Sequence, residues 1–186
     1  MKSYIIYVVL LNHYWLVFMD ILLRPIGYVS HYFSDDIVSN SINGVEGYVV
    51  IFPEYSDGLE GLHGFSHIIL IAYLHKAGEK AKGVLKVKPR GFARKLHLDI
   101  NEVPLVGVFA TDSPYRPNPI ALSIVRLIGI KGNILHVSNL DLYNGTPILD
   151  IKPYTYARIV KNLEVPKWYR ELLNKARSIN PDVADL

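Results

Sequence analysis

The chain has 186 residues, 50% of them hydrophobic, and a net charge of +3. That length suits one domain with a small appendage, and that apolar content supports a core and excludes a disordered chain. Cysteine is absent, which excludes disulfides, thiolate zinc sites and cysteine nucleophiles and suits a cytoplasmic protein.

Thirteen tyrosines and many Ile and Val residues favour strands over helices. Residues 1–18 form an apolar N-terminal extension. Tyr4–Leu11 and Tyr14–Phe18 are apolar, but Asn12 and His13 interrupt them. Neither run reaches the roughly 20 apolar residues of a membrane span, so no membrane anchor is expected. Phe18-Met19-Asp20 makes a poor leader-cleavage site. Met19 is therefore an expected natural start; alternatively, residues 1–18 add a strand or helix that covers apolar surface.

Ile21–Ser30 reads as an opening strand with Pro25 at its edge. Residues 31–47 are polar and read as a loop that turns at Asn43-Gly44. Gly47–Pro53 is a strand, and Tyr55–Gly64 a tight, Gly-rich connection. Phe65–Leu74 is nearly all apolar, and its length and Ile content predict a strand buried on both faces rather than a helix. His67 on that strand is expected to be a hydrogen-bonded core group. Ser66 and His67 would point to opposite faces, which argues against a Ser/His nucleophilic pair. His67 and His75 with no nearby carboxylate make a weak metal site, and no metal is expected.

Residues 76–97 carry eight basic residues, Lys76, Lys80, Lys82, Lys86, Lys88, Arg90, Arg94 and Lys95, against one acid, Glu79. Such a block is either a solvated loop or a nucleic-acid contact, where each neutralised phosphate releases counterions. Leu105–Ala110, Ile120–Ile130 and Ile134–Asn139 read as strands. Short strands separated by Gly and Pro turns point to a barrel or sandwich. In the tail, Pro166 suits a first helical position. Trp168, Leu172, Leu173, Ala176 and Ile179 recur at helical spacing, predicting an amphipathic helix that ends near Asn180-Pro181 and docks on its own barrel.

Gly107–Tyr154 holds the chemistry. Pro114, Pro117 and Pro119 fall within six residues, Pro114-Tyr115-Arg116-Pro117-Asn118-Pro119. Three prolines exclude a central strand and predict a rigid extended loop after strand Val106–Ala110. A rigid loop bearing Thr111, Asp112, Ser113, Arg116 and Asn118 holds polar groups in set positions. Asp141–Tyr154 contains Asn144-Gly145-Thr146-Pro147, a turn expected to expose backbone amides and a hydroxyl. Asp150 and Lys152 lie two apart and share a face on a strand; a surface ion pair is the plain reading. No GxGxxG, P-loop or zinc spacing occurs, which removes support for the common dinucleotide and nucleotide-triphosphate folds.

The ordered set Arg24-Pro25-Ile26-Gly27, Asp57–His67, Gly107–Ser123 and Asp141–Tyr154 resembles the TsaA-like (TrmO) family over about residues 21–156. The resemblance implies a mainly β fold over 19–156, a small closed or nearly closed β-barrel with few short helices, followed by the helical tail over 157–186. It also implies a homodimer that binds S-adenosyl-L-methionine near the subunit interface. The implied reaction is N6-methylation of threonylcarbamoyladenosine beside the tRNA anticodon. On this basis Arg116 and Asn118 would orient base or cofactor, and Asp150 or Asp141 would accept the proton. His75, Lys76, Asp112, Ser113, Asp141, Asn144, Gly145, Thr146 and Pro147 would contact the cofactor. Lys86, Lys88, Arg90 and Arg94 would grip the tRNA anticodon stem-loop. The family usually has Arg where this chain has Asp112, Gly where it has Ala121, and Asp where it has Asn144. Those departures leave open a cofactor- or RNA-binding module with little turnover, or a methyltransferase acting on another substrate.

Overall fold

The computed structural model describes residues 7–11, 14–18, 21–78 and 83–179, with side chains from residue 21 onward. Strands β1 (Tyr7–Leu11) and β2 (Tyr14–Phe18) form an antiparallel hairpin that pairs with no other strand among the described residues. β3 (Gly27–Ser30), β4 (Val45–Ile51) and β5 (His67–Tyr73) belong to the main sheet. β6 (Lys86–Val87) and β7 (Val106–Gly107) make a small separate ladder. β8 (Ile120–Lys131), β9 (Ile134–Leu140) and β10 (Pro147–Pro153) complete the main sheet. Its six strands close on themselves in the order β10-β3-β4-β9-β8-β5, every pair antiparallel. The mainly β, closed-barrel expectation is met.

Alternation drives the closure. Along β8, Ser123, Val125 and Leu127 point inward while Leu122, Ile124 and Arg126 are exposed. Val125 and Leu127 pack with Val29, Val49, Leu70, Leu135, Val137 and Ile148 in one core. Register shifts at Val45/Gly47, Leu127/Gly129 and Ile148/Asp150 interrupt three of the ladders. Each adds the local bend and twist that lets a sheet of this size curl shut.

A second, smaller core lies beside the barrel. Helix α2 (Arg90–Lys95) and helix α3 (Lys167–Ile179) bury Ala93, Leu96, Leu172, Leu173 and Ala176 against each other and against Leu98 and Val103. The rings of Phe92 and Tyr169 meet at 4.8 Å. The tail is therefore the expected amphipathic helix, but it docks on this second core rather than on the barrel. The basic segment supplies part of that surface, so in its described residues it is not simply a solvated loop.

Three other expectations change. Within the polar 31–47 stretch, Asp35–Asn40 forms a short helix, α1. The N–H of Ile37 donates to the Ser34 hydroxyl, and Asp35 and Asp36 sit in the first turn, where the helix dipole favours them. The strand expected over Leu105–Ala110 is only Val106–Gly107, followed by a 3₁₀ turn at Val108–Ala110. In the β6–β7 register, Pro89 and Pro104 fall opposite each other just beyond Val87 and Val106, and neither has an N–H to continue the ladder. His67 is half-buried rather than a core group. Ser66 lies just outside β5, and its hydroxyl sits 3.0 Å from His67 Nδ1 despite the expected opposite facing.

Gly27 marks the tightest approach in the barrel wall. A Cβ built there would stand 2.3 Å from the Val50 carbonyl oxygen. Gly27→Ala is expected to lower unfolding free energy by about 3 kcal/mol, the upper end of ordinary overpacking costs. Chemical denaturation measures it, and an unchanged midpoint would contradict the packing described.

Candidate active site

Strand β5 organises the site. It pairs antiparallel with β8 on one side and β10 on the other. Both partners therefore begin where β5 ends: Ile120 lies opposite Tyr73 and Ile148 opposite Ala72. The Pro-rich loop precedes β8 and the Asn144–Pro147 turn precedes β10, so two distant motifs arrive side by side. The N–H of Leu74 donates to the Pro119 carbonyl at 2.7 Å and ties the first of them down.

Between them lies an open groove of about 350 Å³. Asn118, Pro119 and Ile120 form one wall and Pro147 and Leu149 the other, with Tyr73 between. Exposed Ile21, Leu22 and Leu23 extend it. Sites for small molecules are of this kind, mostly apolar with a few polar groups.

The Pro-rich loop is braced by its own bonds. Thr111 donates its hydroxyl to the Val108 carbonyl and accepts the N–H of Ser113, while the N–H of Tyr115 donates to the Ser113 hydroxyl. Arg116 is half-buried and donates from Nη1 to the Thr111 carbonyl at 3.1 Å. Asp112 stands by Tyr169 of α3, whose hydroxyl pKa is raised by burial first and by that carboxylate second. The reversed charge at Asp112 is thus felt at the tail helix.

The second motif is stitched to β3. The N–H of Gly145 donates to the Val29 carbonyl, the N–H of Thr146 to the Tyr143 carbonyl, and the N–H of Val29 to the Thr146 carbonyl. Thr146 is 2% exposed. The expected exposed amides and hydroxyl are therefore engaged or buried, because the turn must satisfy its groups against the barrel wall. Gly145 adopts φ +78, a conformation that suits glycine. Asn144 Oδ1 accepts the main-chain N–H of His31 at 3.1 Å. A carboxylate at this position would accept the same bond, so the departure at Asn144 preserves it.

Lys76 joins the turn from outside. Its ammonium donates to both Asp35 oxygens, at 2.7 and 2.6 Å, and lies 5.1 Å from the centre of the Tyr143 ring. His75 precedes it in the 3₁₀ turn after β5. Its pKa is lowered, by burial first and by the Lys76 charge second, with Asp35 opposing.

The two candidate proton acceptors part company. Asp150 follows the groove residue Leu149 and pairs with Lys152 at 2.6 Å, as its spacing suggested. Asp141 accepts from the Ser123 hydroxyl at 2.5 Å and lines a second groove with Lys95, Leu122 and Asn139. The two grooves have no lining residue in common. Of the basic residues, Lys86, Arg90 and Arg94 are exposed, while half-buried Lys88 donates to the Ile100 carbonyl. Lys80 and Lys82 lie outside the described residues.

Residues unnoticed in the sequence also belong here, above all His31, Asp35 and Tyr73. Gly27, Val29 and His31 are buried in alternation, and extending that period from β3 would have found His31.

The pattern of the tRNA-methyltransferase O N-terminal domain matches residues 37–158. A probable S-adenosyl-L-methionine-binding protein of Pyrococcus abyssi is 40% identical over 163 residues, covering 86% of this chain and 82% of that one. The chain belongs to the TrmO family. A crystal structure of TrmO superposes with a TM-score of 0.60 at 32% identity, over 79% of this chain. The rat tRNA (adenine(37)-N6)-methyltransferase is 34% identical over 143 residues. This chain spans 64% of the solved TrmO and 31% of the rat enzyme. Family membership agrees with the closed barrel and with the convergence of the two motifs beside β5.

His75 gives the site a pH signature. Its lowered pKa means that the folded chain favours the neutral ring. As pH falls below the ordinary value near 6.5, the unfolded chain takes up a proton there more readily than the folded one, and stability declines. His75→Gln should therefore flatten the fall in Tm between about pH 7 and pH 5.5. Parallel wild-type and variant curves would contradict this.

Proposed function

We propose that the chain is an S-adenosyl-L-methionine-dependent tRNA methyltransferase that methylates N6 of an adenosine beside the anticodon, with the threonylcarbamoyl-modified base as substrate. The observation that carries this reading is the groove shared by the two TrmO motifs. Its fit to the cofactor rests on its size, its apolar walls, an aromatic face at Tyr73 for an adenine ring and a carboxamide at Asn118. When bound, the cofactor supplies an activated methyl group. Proximity and alignment then contribute most of the rate gain, up to roughly 7–11 kcal/mol in well-oriented systems.

In this reading Asn118 and Pro147 line the cofactor site, and Arg116 and Ser113 hold the loop that carries Asn118. Asn144, Gly145 and Thr146 shape the opposing turn, braced by Lys76. His75, which precedes Lys76 in the turn after β5, is assigned to the mouth. Asp112 orients the loop against α3. Asp150, which follows the groove residue Leu149 in the chain, accepts the proton that the amine loses, while Asp141 serves the second groove. Lys86, Arg90 and Arg94 present positive charge to the tRNA anticodon stem-loop, and Lys88 braces them. A loop base can be unstacked and read there in a way that a paired base cannot. The exposed row Leu122, Ile124 and Ile128 on β8 supports a homodimer in which a second copy covers it. The cytoplasm, where tRNA is met, is the proposed location.

Incubation with radiolabelled S-adenosyl-L-methionine tests the reading on tRNA with and without the threonylcarbamoyl group. Transfer to the modified tRNA is expected. The double variant Arg90→Glu, Arg94→Glu should weaken tRNA binding at least about tenfold and flatten its salt dependence, with cofactor binding intact. Cofactor binding with no transfer to any tRNA would contradict the enzyme reading and favour a binding module.

A further inference from the structure

Only three buried residues with polar side chains appear among the described residues, His31, Ser123 and Thr146. All three meet the same stretch of chain. Ser123 donates to Asp141, Thr146 lies in the turn itself, and His31 reaches Leu142 and Asn144. Buried polar groups are costly unless bonded, so a fold that gathers them at one turn holds that turn in a set geometry.

His31 makes the most of these contacts. It is 6% exposed and continues the inward face of β3. Its main-chain N–H donates to Asn144 Oδ1 at 3.1 Å, and its ring Nε2 lies 3.0 Å from the Leu142 carbonyl. A carbonyl only accepts, so Nε2 carries the hydrogen of this bond. Nδ1 has no partner among the described residues. Room for the residue comes from Gly47, where a Cβ would stand 3.2 Å from the His31 Cβ. Phe33 packs near the ring at 5.9 Å.

We propose that His31 is a positioning residue: its ring N–H and its main-chain N–H together hold Leu142–Asn144 against β3, and so set where the turn presents Pro147 to the groove. This rests on the reading of that groove as the cofactor site. His31 does not touch the cofactor. It acts through the turn, and what it needs from its side chain is the donor at Nε2.

Two variants separate the donor from mere bulk. His31→Gln places an amide N–H near the position of ring Nε2, whereas His31→Met fills similar space with no donor. Affinity for S-adenosyl-L-methionine is measured by calorimetry, KM and kcat by methyl transfer, and the amide exchange of Gly145 and Thr146 by NMR. His31→Met should raise Kd and cofactor KM about tenfold, the scale of one lost hydrogen bond to a buried carbonyl, with kcat changed less than about twofold. Gly145 and Thr146 should exchange faster. His31→Gln should stay within about threefold of wild type in every measure. Wild-type affinity in His31→Met, or equal losses in both variants, overturns the proposal. Should His31→Met fail to fold, His31→Leu makes the same test with another side chain that has no donor: raised Kd and faster exchange support the proposal, and wild-type values overturn it. Wild-type protein that does not bind S-adenosyl-L-methionine would instead overturn the reading of the groove itself.

Discussion

β5 is bonded on both edges, to β8 and to β10, and antiparallel pairing dictates that both neighbours start where β5 stops. Everything near the groove follows from that. Barrel closure at the β5–β10 seam brings the chain after Pro119 and the chain after Thr146 to adjacent positions at Tyr73 and Ala72. An open sheet with β10 paired only to β3 would leave the two motifs on different edges. The seam is also where β10 carries its bulge, between Ile148 and Asp150, which turns the strand at the groove residue Leu149.

The two walls are stiffened by different means. The Pro-rich loop is stiff by covalent restriction and by short-range bonds among Val108, Thr111, Ser113 and Tyr115. The turn opposite is held from outside its own segment, by Val29 and His31 on the barrel side and by Lys76 against Tyr143 on the other. A change in the first wall acts where it is made. A change in β3 or α1 reaches the groove through the turn, which is why Asp35 matters although it lies far away in sequence.

Barrel strands with clean alternation, such as β8 and β4, were legible because burial on one face writes itself as a period of two. The rigid loop was legible because three prolines permit little else. The separate core of α2 and α3 was not, because the basic residues of 76–97 dominate its composition while Ala93 and Leu96 supply its buried contacts. The state of the Asn144–Pro147 amides was equally hidden, since a turn advertises donors in sequence and only the neighbouring strand decides whether they are used. His31 was hidden for a simpler reason: it sits one residue past the end of a four-residue strand, where alternation stops being counted. The departures from the family pattern read differently once placed. Asn144 keeps the bond that a carboxylate would make, Ala121 pairs with small Ala72 in the wall, and Asp112 adds to the raised pKa of Tyr169.

The most direct test of the shared groove is a crystal structure of the chain with S-adenosyl-L-methionine bound. The cofactor is expected between Asn118 and Pro147, with its adenine against Tyr73. Cofactor seated instead in the second groove, against Asp141 and Lys95, would contradict the assignment of the two motifs to one site.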